Sequence, residues 1–248
     1  MLKDIEGIIL RERDYGESSK ILDLFTKEYG VIGIISKGSK KIKSKLSGVS
    51  SRLTYGLFHI YYKEDKLSIL NSVDIYNPLL NIRNSIINIS FATYLSELVH
   101  QVLNQSMKKD EIYNLFINSI LKINESYDPL VITNILELKL LKYLGVEPIL
   151  DRCTICGKST DIVTISADKN GLLCNKCRIN EKLVDLKVIK YLRMYYYLDI
   201  SKISKIDMDS KIKNAIDDFL TEYYNTHTGI YLNCKKFIDD LKMVNIYV

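Results

Sequence analysis

Short apolar runs cut by turn residues fill the first part of the chain, and an apolar period of three to four residues fills most of the rest. Between Glu6 and Tyr76 the runs "EGIILRER", "SKILDLFTKE", "GVIGIISKG", "RLTYGLFHIYYK" and "KLSILNSVDIY" are each of strand length. Several alternate apolar with polar positions, as a half-buried strand requires. Tyr15-Gly16, Tyr29-Gly30 and Glu64-Asp65 supply turns between them. After Asn77-Pro78 the period changes. Ile87, Phe91, Tyr94, Leu95, Leu98, Val99 and Val102 recur every three or four positions, which predicts an amphipathic helix of about six turns. A second helix is predicted from about Asp110 to Asn124. The third is punctuated at both ends: Asp128 can cap it, Pro129 suits its first position, and Gly145 with Pro148 stops it. Helical periodicity resumes in "LKVIKYLRMYYYLD", "DSKIKNAIDDFLTEYYNTH" and "NCKKFIDDLKMV".

Five short strands in roughly 75 residues are the content of a small closed or partly closed β-barrel, for which the OB-fold is the commonest candidate. The later helices are expected to return and pack on the earlier ones. The predicted fold class is therefore α+β and multi-domain. An OB-fold barrel spans residues 1–78, a helical domain combines 79–150 with 179–248, and a cysteine-bearing insert at 151–178 interrupts it. No internal repeat or low-complexity tract is present. With 47% hydrophobic and 26% charged residues over 248 positions, the chain falls in the globular class and not the disordered one. The opening "MLKDIEGIIL" carries Asp4 and Glu6, its apolar run is too short for a signal-peptide core, and no later segment approaches a membrane span. A cytoplasmic location is the expectation.

A net charge of +5 is modest, so its distribution decides more than its size. No Asp or Glu lies between Glu28 and Glu64, while Lys37, Lys40, Lys41, Lys43, Lys45, Arg52 and Lys63 all do. The remainder of the chain sums to −2. The stretch "SKGSKKIKSKLSGVSSRLTYGLFHIYYK" sits between two strand-like runs, which makes it a basic loop of the barrel more simply than a linker. A solvated loop in a lysine-rich chain is the bland reading. The functional reading is a phosphate surface: Gly38, Ser39 and Ser44 can donate to phosphate, and the loop leads into Tyr55, Phe58, His59, Tyr61 and Tyr62, whose faces can stack on bases. Strand alternation buries about half of those rings. Arg11 and Arg13 on the first strand extend the patch.

"CTICGKSTDIVTISADKNGLLCNKC" places Cys153, Cys156, Cys174 and Cys177 as two C-x2-C pairs separated by seventeen residues, inside the range of zinc sites. Two thiolates across a tight turn bind a metal together, and Gly157 lets the backbone fold beneath them. "DIVTISAD" and "GLLC" can form the hairpin that carries one pair to the other. Disulfides, a redox dithiol and buried thiols are the competing readings. A cytoplasmic chain disfavours the first, and a second C-x2-C copy is superfluous for the second. Four thiolates close a tetrahedron, so the Zn2+ expected here is structural. Cys234 stands alone.

Catalytic machinery is not visible. His59, His100 and His227 are scattered and form no metal constellation. Asp207 with Asp209 resembles a helix start, and the pairs Asp217-Asp218 and Asp239-Asp240 resemble solvated helix faces. No phosphate-binding loop and no G-x-S-x-G occurs.

On these residues the chain resembles the bacterial RecO family of recombinational DNA-repair mediators over nearly its whole length. The resemblance is carried by "EGIILRERDYGESSKILDLFTKEYGVIGIISKGSKKIKSKL", by "YLGVEPILDRCTICGK" and by "GLLCNKC". It implies an N-terminal OB-fold, a helical domain and a zinc finger in a non-enzymatic protein that binds single- and double-stranded DNA and anneals complementary strands. It further implies action with RecR to load RecA onto DNA covered by single-stranded-DNA-binding protein, whose acidic, apolar C-terminal tail docks on the helical domain. Carried over by position, the DNA contacts fall on Arg11, Arg13, Lys37, Lys40, Lys41, Lys43 and Lys45, with Arg52 at the end of the same loop. The zinc ligands fall on Cys153, Cys156, Cys174 and Cys177. Where the family tends to show a basic K-S-R type cluster, this chain has "LNCKKF", so Lys235 and Lys236 stand as its partner-binding candidates. Such a protein belongs in the cytoplasm, on the nucleoid. An RNA-binding or translation-associated module is the alternative, since OB-folds and zinc ribbons also serve RNA. A metalloenzyme would need an open metal position or a carboxylate cluster.

Overall fold

Alternation along five strands brings Ile5, Ile9, Leu22, Leu24, Ile34, Phe58, Ile60 and Leu70 to one face, and curling that face inward makes the first core. The strands are β1 (Leu2–Tyr15), β2 (Ser19–Thr26), β3 (Gly30–Ser36), β4 (Tyr55–Tyr61) and β5 (Ser68–Asn77) in a computed structural model that describes residues 1–64, 66–105, 109–230, Lys235 and Ile238. All five predicted strands are present. β1 pairs antiparallel with both β2 and β4, β2 with β3, and β4 with β5. The thinnest seam is parallel, between β3 and β5, through Ile34/Ser68 and Ile35/Ile69 alone. This is an OB-like five-stranded barrel. Turns fall at Tyr15-Gly16 and Tyr29-Gly30 as expected, with Gly16 at φ 59° and Gly30 at φ 68°. Asp65 of the third predicted turn lies outside the described residues.

The outer wall of the barrel is buried too. Ile8 and Leu10 are 0% and 2% exposed although they do not join the inner cluster, and the next helices explain why. A short helix, α1 (Leu80–Arg83), leads into α2 (Ile86–Leu103), which lies on β1, and α3 (Lys109–Asn124), which lies on β2 and β3. Phe25 on β2 meets Tyr113 of α3 edge to face at 5.2 Å. Helix α2 begins where Ser85 accepts a hydrogen bond from the Asn88 N–H, and its 18 residues make about five turns, one fewer than its periodicity suggested.

Met1–Asn124, with Lys235 and Ile238, form one compact unit, and Glu125–Tyr231 form another. In the second, Asp128 accepts from the N–H groups of Leu130 at 2.9 Å and Val131 at 3.3 Å, with Pro129 in the first position of α4 (Pro129–Leu140). A 3-10 turn, Leu141–Leu144, carries the chain to Gly145 at φ 71°. Helices α5 (Leu186–Tyr197) and α6 (Ser210–His227) pack against α4. The remaining strands, β6 (Ile162–Ser166) and β7 (Gly171–Cys174), form the hairpin expected between the cysteine pairs. The last periodic segment, "NCKKFIDDLKMV", lies outside the described residues except for Lys235 and Ile238.

Two ties allow separate tests. Asp128 also holds the Lys213 ammonium at 2.7 Å, so Asp128→Ala should lower stability by about 1–2 kcal/mol through loss of the cap. Asp128→Asn keeps a capping oxygen and should cost under about 1 kcal/mol, as urea midpoints of the two variants will show. On the barrel, His59 of β4 joins Asp4 of β1 at 2.6 Å and Asp74 of β5 at 3.0 Å. Hydrogen bonds to Asp4 and then Asp74 raise its pKa above the ordinary 6.5. A value raised on folding adds stability that is complete below about pH 6.5 and is lost as pH climbs through the folded value. The native urea midpoint should fall over that window, and His59→Gln should remove this part of the fall.

Candidate nucleic-acid interface and metal centre

The basic stretch between Ser36 and Tyr55 is neither strand nor linker; it is a chain of tight turns. Lys41 N–H donates to Gly38 O, Ser44 N–H to Lys41 O and Ser47 N–H to Ser44 O, at 2.9–3.1 Å. Its ends are tied to the barrel. The Ser36 and Ser50 hydroxyls meet at 2.6 Å in a buried pair, Lys20 Nζ donates to Ser50 O at 3.2 Å, and Arg52 N–H donates to a Glu12 carboxylate oxygen at 3.0 Å. Leu46 packs on the barrel core, while Ile42 at the far side is 99% exposed. The loop therefore holds its lysines outward on an apolar foot.

The predicted cations divide into two groups. Lys37, Lys41, Lys43 and Lys45 are exposed and have no ion pair among the described residues. Lys40 is different: its ammonium meets Asp14 of β1 at 2.5 Å and holds that carboxyl below its ordinary value. The loop lacks an internal counter-charge, yet β1 provides one. Arg11 is exposed on β1, whereas the Arg13 guanidinium lies 3.0 Å from Asp23 of β2. Asp23 also faces His100 of α2 at 3.4 Å, and His100 first, then Arg13, hold it below the ordinary carboxyl value against the effect of burial. Nothing in the sequence joined those three residues. Arg52 is half-buried at the end of the loop. Lys235 lies with its ammonium 5.1 Å from the Tyr94 ring centre, and Lys236 is outside the described residues.

Two expected sets of contact groups change on inspection. Gly38 N–H is taken by Ser19 Oγ at 3.1 Å and the buried Ser39 hydroxyl donates to Ser36 O at 2.9 Å, so both shape the loop. Ser44 Oγ accepts from Leu46 N–H and retains its own proton to donate. Of the five rings after the loop, Tyr61 alone is exposed. Phe58 is in the barrel core, and His59 is held between its two carboxylates. Tyr62 lies against Tyr29 with the Lys3 ammonium 4.2 Å from its ring centre. Tyr55 donates to Glu6 at 3.3 Å, and burial with that carboxylate pushes its hydroxyl up to about 12.

The four cysteines come together as their spacing demands. Their sulfurs all lie within 4.8 Å of one another, and none is in a disulfide. Cys153 N–H donates to Lys158 O and Gly157 N–H to Cys153 O, closing the first turn, with Gly157 at φ 74°. Cys177 N–H and Arg178 N–H both donate to Cys174 O to close the second. Beneath them Leu173 is fully buried and Ile162 packs alongside. Burial pushes the Cys153 thiol up, but backbone N–H groups led by that of Cys156 overrule it and bring the thiol to about 6. Cys177, hydrogen-bonded to the Cys156 sulfur and part-buried beside Cys174 and Cys153, is pushed up to about 12. Four thiols this close shed their protons together only when a cation is present, and an all-sulfur set suits a soft metal. His227, the last residue of α6, hydrogen-bonds to the Ala167 carbonyl in the hairpin turn at 2.7 Å.

The chain thus combines an OB-like barrel bearing a pinned cationic loop with helices and a four-thiol knuckle, and no described helix is long and apolar enough to cross a membrane. Its class is that of a multi-domain α+β protein with a charged barrel face and a metal-binding-type hairpin. The family models described as Recombination protein O N terminal and Recombination protein O C terminal match residues 1–79 and 83–236. The chain belongs to the RecO family of recombinational DNA-repair proteins. It is 30% identical to the DNA repair protein RecO of Listeria monocytogenes over 243 residues, covering 97% of this chain and 95% of that one. With the DNA repair protein RecO of Halalkalibacterium halodurans identity is 31% over 251 aligned positions, covering 100% and 98%. The same-named protein of Bacillus subtilis is 31% identical over 245 residues, covering 98% and 96%.

Metal loading is directly testable. Co2+ added to the reduced apo-protein should give the intense thiolate-to-metal absorption of a four-sulfur site, and Cys174→Ser should weaken and shift it. Chelation should lower the melting temperature of the native protein and leave that of Cys174→Ser little changed.

Proposed function

We propose that this protein is a non-catalytic DNA-binding mediator of recombinational repair. In this reading Arg11, Arg13, Lys37, Lys40, Lys41, Lys43, Lys45 and Arg52 hold the phosphates of single- or double-stranded DNA, leaving bases free to pair. Annealing is then driven by base pairing and uses no nucleotide hydrolysis. The observation that carries the reading is the group of four exposed, unpaired lysines on a loop locked to an OB-like barrel, in a chain of this family. Lys40 and Arg13 contribute less charge, since each already has a carboxylate.

Cys153, Cys156, Cys174 and Cys177 would hold Zn2+, whose chemistry here is structural because four sulfurs leave no position for a reacting water. The partners we assign are RecR, the acidic C-terminal tail of the single-stranded-DNA-binding protein, and RecA indirectly, in the cytoplasm at the nucleoid. For the tail, Lys235 and Lys236 are the assigned cations. We assign the barrel of residues 1–78 to DNA, the helices of 79–150 and 179–248 to partners, and 151–178 to shape.

Fluorescence anisotropy of labelled single-stranded DNA over a salt series tests this. Four lysine–phosphate contacts predict a slope of log K against log salt of about −3. Changing Lys37, Lys41, Lys43 and Lys45 to Ala should remove most of that slope and slow annealing. Equal slopes and annealing rates in both proteins would sink the proposal. RNA of the same sequence, used as competitor, separates this reading from an RNA-binding one, which predicts stronger competition by RNA than by DNA.

A further inference from the structure

Against β1, helix α2 leaves a cleft of 180 Å³, several times the roughly 30 Å³ that one water occupies. Leu10 lines its apolar part, and Arg11, Arg52, Glu97, His100 and Gln101 stand around it. Arg52 is the last cation of the basic loop, so the cleft opens where that loop rejoins the barrel.

Glu97 is the unusual member. Its Oε2 is shielded from solvent and has no hydrogen-bond partner among the described residues. The groups beside it are engaged elsewhere: the Ser96 hydroxyl donates to Ala92 O at 2.8 Å, and His100 faces Asp23 at 3.4 Å. A shielded acceptor without a donor is a standing cost, and a small turn of the Glu97 side chain into the cleft would relieve it by meeting a donor there. A phosphate brings none and would be repelled by the carboxylate. The two arginines, however, call for acceptors.

The edge of a nucleobase with an exocyclic amino group offers both. Cytosine presents its N4 amino donor beside the N3 and O2 acceptors, and a carboxylate accepts well from N4. Thymine would set its O4 against Glu97. We infer that this cleft receives one unstacked, amino-bearing base of a DNA strand, with Glu97 accepting from the amino group and Arg11 and Arg52 holding the acceptor edge or the adjoining phosphate. The inference rests on the DNA-binding reading above and adds a base subsite to its phosphate track. A base held there keeps the strand locally unstacked while its neighbours face outward to pair.

The test uses the full chain and three labelled oligomers of equal length and charge: oligo-dC, oligo-dT and an abasic backbone, each over a salt series. Native protein should bind oligo-dC at least about fivefold more tightly than oligo-dT or the abasic strand. Glu97→Gln should bring the dC-to-dT ratio close to one with the salt slope unchanged, because no phosphate contact is lost. It should melt no lower than the native protein, since no contact of the free protein is removed. Arg52→Ala, by contrast, should weaken all three strands together and flatten the slope. A native ratio of one, or a ratio that Glu97→Gln leaves as it was, with the steep slope retained, overturns the base subsite and leaves phosphate binding standing. Loss of salt-dependent binding in the native protein overturns both.

Discussion

A run of lysines repels itself, and this one keeps a defined shape because both of its ends are fixed inside the barrel. The buried contact between the Ser36 and Ser50 hydroxyls, 2.6 Å long, joins the residue where β3 ends to the residue where the loop returns. Glu12 then holds the Arg52 N–H, and Ile9 exchanges two backbone hydrogen bonds with Leu53 and Thr54, with Leu53 buried at φ 64°. A non-glycine residue in that region persists where its surroundings over-determine it. With the ends held and Leu46 seated on the core, the remaining freedom of the loop lies in its lysine side chains. Charge is thus displayed from a rigid base, which would lower the entropy lost on binding an anion.

The sequence made legible whatever is decided locally. Period-two alternation revealed the five strands, Asp128-Pro129 marked the start of α4, and two C-x2-C pairs announced a clustered site. What stayed hidden depends on residues distant along the chain. Asp14 finding Lys40, and Asp23 finding both Arg13 and His100, follow from strand register and helix docking that no local pattern encodes. The same holds for Ser39, which reads as a surface hydroxyl and is 3% exposed. Gly171 is a further case. It sits at φ 136°, and a side chain there would strike the Ile149 carbonyl, which instead accepts from Leu172 N–H. The glycine reads as part of a hairpin turn, but its reason is the backbone of Ile149, far upstream in the chain.

The cysteine hairpin is built in a way that a metal would complete. Its buried cluster consists of Cys153, Leu173 and Cys174, with Ile162 and Cys177 at the edge. So few apolar side chains cannot hold a two-stranded ribbon by themselves. Hydrogen bonds from α6 secure the turn end of the ribbon, through Tyr223 to Asn170 and His227 to Ala167. At the knuckle end, backbone hydrogen bonds from Thr154 N–H to Leu172 O and from Asn175 N–H to Asp161 O hold the turns, while the four thiols crowd within 4.8 Å of one another. A cation bound among the sulfurs would tie the two knuckle turns together.

Charge around the barrel is sorted by the same rule of local balance. Glu12 faces Lys20 and the Arg52 N–H, Asp14 faces Lys40, and Asp23 faces Arg13 and His100. These pairs fasten the barrel, its loop and α2 together, so they are spent on architecture. What is left over is four exposed lysines on the loop, Arg11 on β1, and the shielded Glu97 oxygen beside the cleft. A purely phosphate-binding face gains nothing from that carboxylate. A carboxylate and two arginines lining one cleft would suit a ligand with donors and acceptors on one edge, as a base has and a phosphate lacks.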